Sequence, residues 1–352
     1  MKSCRFASVL LLLALLTGCG GQPAPVEDSP APAGQIYLYG EIHGSTETMQ
    51  YELERWKECY AQGMRHLFVE LPYYTAQYLN LWMAAEDDAI LEQLYQDWTG
   101  TLMEDTWVRE FYQAIKRDCP ETVFHGTDVG HQYATTGSRY RDYLEEQGLT
   151  DSEDYHLTQE AIVQGQTYYT GASDTYRENT MTDNFVQTFD ALGGEAVMGI
   201  YGAAHADPDG LEHSSGGVPS MAGQLWEIYG DALHTEDLSR IALDKEPLSV
   251  DTITVAGKAY EASYFGAADI SAWSDRWQSR AFWRLEDAYP DFKDCPTANN
   301  VLPYNNYPTW VEEGDVFVID YTSPDGQVTR EYHRADGTRW QGLPVTTQFI
   351  PE

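Results

Sequence analysis

Short apolar runs alternate with amphipathic stretches over residues 36–245, and this order predicts a β/α architecture. The predicted strands, each built around an apolar run, are 36–39, 66–72, 123–128 and 196–201. The predicted helices are 46–62, 75–118, 139–192 and 220–229, the third of them interrupted at Gly148, Gly165 and Gly171. Strands separated by helices form a largely parallel sheet with helices packed on it. We therefore expect an α/β fold with helical insertions.

The pattern changes after residue 245. Alternating apolar and polar positions over 251–264 predict strands, whereas 273–288 is predicted to be helical. Residues 316–333 form a predicted hairpin whose turn contains Ser-Pro-Asp-Gly. The sequence thus predicts an α/β domain at 36–245 and a β-rich C-terminal appendage at 246–352.

Residues 1–19 have the composition of a targeting signal. A basic start precedes an apolar stretch that is too short to span a membrane. Residues 16–19 (Leu-Thr-Gly-Cys) resemble a bacterial lipobox, which implies cleavage before Cys19 and lipid on its sulfur; a plain secretory signal with a chance cysteine is the alternative. Residues 20–35, rich in Gly, Pro and Ala, are expected to be a disordered tether. We therefore expect a lipid anchor in a bacterial cell membrane, with the protein on the extracytoplasmic face.

The chain is strongly acidic, with a formal net charge of −35 at pH 7. A negative surface repels nucleic acid, so we expect no nucleic-acid partner. The charge does not identify the substrate, which is expected to be a small molecule or a peptide. Beyond the leader, the pairing of Cys59, Cys119 and Cys295 stays open, and a cysteine-based zinc site is not expected without a CxxC pair.

Side chains suited to acid–base chemistry stand at four predicted strand ends: Glu41 with His43, then Glu70, Asp128 and His205. An open α/β sheet brings such groups together at the carboxyl ends of its strands. An imidazole acts as a base or metal ligand near neutral pH, and a carboxylate orients it. We predict that these residues surround one pocket and form a hydrolytic site, with or without a divalent metal.

Several enzyme classes are excluded by motif. The chain has no HExxH, GxSxG, Walker loop or GxGxxG, which argues against zincin proteases, ordinary α/β hydrolases, P-loop enzymes and Rossmann dehydrogenases. His66 starts a strand and His125 precedes a glycine, so both are expected to be structural. His131 lies in polar surroundings and is also not expected in the site.

Four segments resemble motifs of the erythromycin esterase, ChaN and TraB/TIKI superfamily: residues 40–45, 69–70, 177–184 and 202–205. Members show a Gly-Glu-x-His-type motif, a glutamate after the next strand, an Arg-Asp-x-x-Met-x-x-Asn helix and a Gly-x-x-His strand end. The resemblance covers about residues 36–240. Two departures are that Glu178 stands where Asp is usual, and that the first motif is shorter than in the esterase branch.

The resemblance implies a hydrolase of ester or amide bonds. His43 would activate water or bind a metal, with Glu70 as its partner and His205 as a second base or ligand, so these three are also the candidate metal ligands. Arg177 would project from a helix into the pocket, to bind a carboxylate or stabilise an oxyanion. Three further residues are assigned to substrate binding: Glu41, Asp128 and Asn184. Arg177 and Asn184 are two helical turns apart and are expected to share a face.

Two alternatives remain open. The ChaN-like branch is itself lipoprotein-anchored, and the 25 tyrosines of this chain are candidate axial ligands, so a haem-binding lipoprotein is one alternative. The other is a non-catalytic substrate-binding lipoprotein with a relict pocket. Neither the identity of a metal nor the need for one follows from the sequence.

Overall fold

The computed structural model describes residues 34–351, apart from 213, 244, 272, 273, 341 and 342. The predicted signal peptide, Cys19 and most of the predicted tether lie outside the described residues. Within the described part of the chain, no helix combines the length and the apolar character needed to cross a membrane.

Within the described residues, five strands form a parallel sheet in the order β3-β2-β4-β1-β5. The strands are β1 (Ile36–Glu41), β2 (His66–Pro72), β3 (Val123–Asp128), β4 (Val197–Gly202) and β5 (Leu233–Asp237). The first four confirm the predicted strands. The fifth was not predicted, because only Leu233 of this polar edge strand is buried. Since all strands run the same way, their carboxyl ends lie along one edge.

Helices cover both faces of this sheet. They are α1 (Thr46–Ala61), α2 (Tyr73–Ala84), α3 (Ala89–Asp97), α4 (Thr106–Asp118), α5 (Ser138–Glu146), α6 (Glu153–Tyr169), α7 (Asp174–Ala191), α8 (Ala203–Ala206), α9 (Met221–Tyr229) and α10 (Ser239–Leu243). Successive strand residues point to opposite faces, so Tyr39 joins a core with α1 to α4, whereas Leu38 joins one with α7 and α9. The helix α1 begins as predicted, with the Ser45 hydroxyl accepting a hydrogen bond from the Thr48 N–H at 3.2 Å.

The predicted interruption at Gly165 is wrong, because Gly165 lies inside α6. A Cβ atom built on Gly165 would lie 2.0 Å from the carbonyl oxygen of Gly130. The glycine therefore lets α6 pack directly against the backbone that follows β3. Its role is close packing rather than termination of the helix.

The C-terminal part forms a second, antiparallel sheet in the order β12-β13-β11-β10-β8-β7-β6, with β9 paired to β13. Its elements are β6 (Ser249–Val255), β7 (Lys258–Asp269), β8 (Ser279–Leu285), α11 (Tyr289–Phe292), β9 (Thr297–Pro303), β10 (Val316–Thr322), β11 (Val328–Arg334), β12 (Arg339–Trp340) and β13 (Leu343–Phe349). The predicted hairpin is confirmed as β10 paired with β11.

The predicted helix at 273–288 is wrong, because β8 occupies its centre and pairs with β7 and β10. Phe282 packs into the apolar cluster on one face of the sheet, and Leu285 packs into the cluster on the other. Phe282 and Leu285 are three residues apart, a spacing that also fits one face of a helix, so periodicity alone did not identify the strand.

The predicted fold class is confirmed: a parallel sheet flanked by helices precedes a separate β-rich sheet. The predicted boundary at residue 245 falls just after α10. Ala242 and Leu243 of α10 pack into a cluster of the antiparallel sheet, and the Trp310 N–H donates to the Leu243 carbonyl at 2.7 Å. The helix α10 thus contacts both sheets.

The pairing of the three cysteines was left open by the sequence. In the structure, Cys59, Cys119 and Cys295 are free thiols.

Candidate active site

The strand-end side chains meet at the carboxyl edge of the parallel sheet. Glu41 is the last residue of β1, Asp128 is the last residue of β3, and Gly202 is the last residue of β4. Glu70 lies in β2, where the pairing with β3 shifts register between Val69 and Pro72. Adjacent parallel strands therefore deliver the polar groups side by side.

Glu70 is the centre of the arrangement. Its Oε2 accepts a hydrogen bond from the Gly202 N–H at 2.6 Å, and its Oε1 accepts one from Arg177 Nη2 at 2.6 Å. His205 Nε2 lies 3.6 Å from Oε1, and His43 Nε2 lies 3.8 Å from Oε2. The carboxylate is thus held by a backbone amide and an arginine between two imidazole rings.

His43 is the exposed member of the two histidines, with 42% of its side chain accessible. Its Nδ1 donates to Glu41 Oε1 at 2.7 Å. Burial acts to lower the pKa of His43, but the charge of Glu70 and the hydrogen bond to Glu41 outweigh that effect and raise the pKa to about 9. The imidazolium form therefore predominates at neutral pH.

His205 lies on α8 and is buried. Its Nδ1 donates at 2.7 Å to Glu178, a buried residue of α7, and the other oxygen of Glu178 accepts from the Met221 N–H. Burial acts to lower the pKa of His205, but Glu70 and Glu178 outweigh it and raise that pKa. The pair formed by Glu178 and His205 therefore contacts Glu70 from the protein interior.

Arg177 joins Glu70 to Asp128. Its Nε and Nη2 donate to the two oxygens of Asp128 at 3.0 and 2.6 Å, and His131 Nε2 donates to the same carboxylate at 2.9 Å. Tyr169 OH lies 2.5 Å from His131 Nδ1. The bidentate contact is the geometry in which a guanidinium binds a carboxylate most strongly.

The cations keep both carboxylates ionised. Burial acts to raise the pKa of Glu70, but His205, His43 and Arg177 together lower it to about 2. For Asp128, burial is likewise outweighed, first by Arg177 and then by His131, and its pKa falls well below the usual range. The edge of the sheet therefore holds two carboxylates that stay charged through the physiological pH range.

These groups line a cavity of about 320 Å³. Its polar wall includes Glu41, His43, Glu70, Asp128, His131 and Arg177, and the cavity continues between apolar side chains of α1 and α4. His205 is not part of its lining. The structure thus brings four of the predicted strand-end residues to one cavity and puts His205 behind them.

The predicted metal ligands His43, Glu70 and His205 contact other protein groups in this structure. Arg177 already supplies the cation that contacts Glu70, and His205 is bonded to Glu178. Among the described residues, no group of three or more His, Cys, Asp or Glu side chains has an arrangement that could hold a metal ion. A divalent metal at these residues therefore stays a prediction.

Asn184 shares α7 with Arg177 but does not line this cavity. Its side-chain amide donates to the Thr127 carbonyl at 2.9 Å and to Gln164 Oε1 at 3.1 Å. The expectation that it faces the same pocket as Arg177 is wrong, since these bonds direct it to α6 and β3. His66 and His125 bond each other at 2.8 Å, outside the cavity lining.

The cavity residues that were not predicted from the sequence include His131 and Glu52. His131 follows Asp128 by three residues, and this spacing was the available signal for its contact with that carboxylate. Glu52 lies on α1, four residues before the buried Trp56, at a position where the apolar face of the helix continues. An acidic residue inside an apolar helical stripe is a signal that strand-end reasoning does not use.

No protein family and no curated protein matches the chain by sequence. Solved structures that resemble it include a Bacillus cereus protein (14% identity, TM-score 0.43, 59% of this chain) and a mutant of erythromycin esterase EreC in its open conformation (10%, 0.44, 67% of this chain and 76% of EreC). A succinoglycan biosynthesis protein is also similar (12%, 0.45, 65% of this chain and 70% of that one). The chain spans 66% of the length of the Bacillus cereus protein. Similarity at this level carries no functional argument.

Proposed function

We propose that this protein hydrolyses ester or amide bonds in the cavity at the carboxyl edge of the parallel sheet, with His43 as general base. One arrangement supports this proposal: two carboxylate–histidine pairs, Glu41 with His43 and Glu178 with His205, converge on Glu70. A carboxylate bonded to one ring nitrogen orients the imidazole and leaves the other nitrogen for proton transfer.

The geometry of His43 suits that role. Glu41 accepts from Nδ1, so Nε2 is the nitrogen directed toward the reacting groups. The 3.8 Å between Nε2 and Glu70 Oε2 is too long for a direct hydrogen bond, so Nε2 remains available to a water or substrate atom. His43 also lines the cavity, whereas His205 does not.

The proton movements follow from the pKa of His43. With a pKa of about 9, only a minority of molecules hold the neutral imidazole at pH 7. In those molecules, Nε2 takes a proton from water while the water oxygen attacks the substrate carbonyl carbon. The tetrahedral intermediate then breaks its C–O or C–N bond, and the leaving group takes the proton from His43.

Arg177 and His205 are proposed as positioning residues for Glu70. Two Arg177 nitrogens are committed to carboxylates, so the guanidinium fixes Glu70 and Asp128 and keeps them charged. His205 approaches Glu70 from the buried side. Both residues would affect the reaction indirectly, because they fix the position and the charge of Glu70.

Hydrolysis of a panel of ester and amide substrates at pH 9 tests this function. The His43→Ala variant should lose at least about a hundredfold in kcat/KM, the typical contribution of a general base, with little change in its melting temperature. His333→Ala is the matched control, because this buried histidine of β11 should cost stability but leave the rate per folded molecule unchanged. Near wild-type turnover by a folded His43→Ala variant would refute the assigned mechanism.

The two alternatives make different predictions in the same experiments. A Soret band on adding hemin, without hydrolysis of any panel substrate, would favour a haem-binding protein. Binding of panel substrates without turnover would favour a substrate-binding lipoprotein.

We further propose that the protein is lipid-anchored through Cys19 on the extracytoplasmic face of the membrane. The lipobox-like sequence at residues 16–19 behind a basic, apolar leader supports this. In cells that express the full chain, Cys19→Ala should move the protein from the membrane fraction to the soluble fraction. A Cys19→Ala variant that stays in the membrane fraction would contradict lipidation at this residue.

A further inference from the structure

The cavity has an apolar extension beside the carboxylate–histidine cluster. We call it the apolar chamber, and its walls are Met49, Trp98, Met103, Val108, Phe111 and Tyr112. These side chains all belong to, or pack against, one hydrophobic cluster between the parallel sheet and helices α1 to α4. An apolar recess next to reactive polar groups is the usual form of a site that holds the apolar part of a ligand.

Glu52 is the acidic exception among the residues that surround the apolar chamber. It lines the cavity and is only 1% exposed. Its Oε1 has no hydrogen-bond partner within the described part of the chain. A buried carboxyl oxygen without a partner costs free energy, so this atom points to a donor that arrives with a ligand.

The charge state of Glu52 indicates which donor would bind best. Burial and the charge of Glu41 raise the pKa of Glu52 well above its usual range. The titratable groups that face it are Glu41 of β1 and Tyr112 of α4, and none of the described cationic side chains contributes to its pKa. A ligand that brings a positive charge would offset the repulsion between Glu41 and an ionised Glu52.

We propose that the apolar chamber binds an apolar group carrying a basic amine, whose ammonium donates to Glu52. An ammonium group offers three N–H donors and the charge that the chamber lacks. The ammonium then forms an ion pair with the Glu52 carboxylate, and a proton that the carboxyl group carried before binding leaves to solvent. The substrate class is then an amine-bearing ester or amide; that part rests on the proposed function, whereas amine binding does not.

Calorimetric titration of the purified full chain with n-hexylamine and with 1-hexanol at pH 7 tests the proposal. The two probes share an alkyl chain and differ in charge. We expect hexylammonium to bind at least tenfold more tightly than hexanol. Titration in two buffers of different ionisation enthalpy should also show that hexylammonium binding releases protons, up to one per site, and that hexanol binding releases none.

Glu52→Gln should lower the affinity for hexylammonium at least tenfold, abolish the proton release and leave the affinity for hexanol within about twofold. Glu54→Gln is the matched control, since Glu54 is an exposed residue of the same helix, and it should change neither affinity. Equal wild-type affinities for the two probes, or unchanged hexylammonium binding by Glu52→Gln, would overturn the proposal. The wild-type preference for hexylammonium over hexanol decides the question even where Glu52→Gln fails to fold.

The outcomes separate this inference from the proposed function. Selective hexylammonium binding by a protein that hydrolyses no panel substrate would refute the hydrolase and retain the amine site. Hydrolysis of neutral esters with no gain for amine-bearing esters of the same length, and no selective amine binding, would retain the hydrolase and refute the amine site.

Discussion

An arginine lies against each of the two sheets, but the two arginines have different partners. At the edge of the parallel sheet, Arg177 binds two carboxylates, Glu70 and Asp128, from different strands. In the antiparallel sheet, Arg334 donates to the carbonyls of Phe292 and Cys295, at 2.8 and 3.0 Å, and its Nε lies 3.9 Å from Asp336. The first arginine balances charge beside a cavity, whereas the second fastens a loop to a strand.

The buried histidines differ in the number of carboxylates beside them. His205 bonds Glu178 and lies beside Glu70, whereas His333 lies between the Thr346 hydroxyl and one carboxylate, Glu331, at 3.2 and 3.3 Å. A buried charged residue therefore indicates chemistry only when its partners are also charged and face a cavity. Arg334 and His333 do not line the cavity beside Glu70, so their contacts indicate a structural role.

Replacing each arginine by methionine is the strongest test of this comparison. Arg177→Met should destabilise the protein by about 3–5 kcal/mol, because it leaves two buried carboxylates without their cation. Arg334→Met should cost less, about 1–3 kcal/mol, the usual penalty for unsatisfied buried carbonyls. Urea unfolding at pH 7 measures both values. Equal losses in the free energy of unfolding would show that the two arginines contribute equally to stability, which would contradict the comparison.

The pH dependence of hydrolysis tests whether the exposed histidine is a base. A base must be deprotonated to act, so kcat/KM should rise about tenfold per pH unit from pH 7 toward the His43 pKa of about 9 and then level off. His333→Ala should show the same profile. A rate that falls above pH 9 would instead assign His43 as an acid.

Acid unfolding gives a smaller and separate effect. Since the pKa of Glu70 is lowered to about 2, its contribution to stability is complete above its unfolded value of 4.5 and is lost as the pH falls toward 2. The loss is about 1.4 kcal/mol for each pH unit over that range. The free energy of unfolding of Glu70→Gln, followed between pH 5 and 2, should therefore fall less steeply than that of the wild type. Parallel slopes would contradict the ion pairing described for Glu70.

Asn184 should give the smallest effect. Asn184→Ala removes its hydrogen bonds to Thr127 and Gln164 and should cost about 1–2 kcal/mol of stability. Because the side chain lies outside the cavity lining, kcat/KM should stay within about twofold of wild type. A large loss of rate in a stable variant would return Asn184 to the substrate site.

The sequence predicted the parts of the site that depend on local pattern. Glu41, His43, Glu70 and Asp128 each follow an apolar run, and parallel pairing is enough to bring such strand ends to one edge. Whether they also do chemistry stays a prediction. The orientation of Asn184 was not predictable, because helical spacing does not show which groups a side chain will bond, and Asn184 bonds Gln164 of α6 and the Thr127 carbonyl.

Elements covered on both sides were the other source of error. The strand β8 has apolar residues on both faces. Gly165 lies within α6, at a point where the neighbouring backbone of Gly130 leaves no room for a Cβ atom. Both features depend on contacts with segments that are distant in sequence, and such contacts produce no periodic pattern in the local sequence. Glu52 was missed for a related reason. A single acidic residue on an apolar helix face indicates a binding site only once the opposite wall of the cavity is known.

The hydrogen bond from the Gly202 amide to Glu70 has a consequence for redesign. The donor is a backbone atom at the end of a central strand, so among the standard amino acids only proline at position 202 would delete it. Selection or engineering can therefore exchange the side chains that shape the cavity walls on α1 and α4 while this donor stays in place. In the proposed site, ligand specificity can therefore change while a main-chain N–H keeps Glu70 in its position.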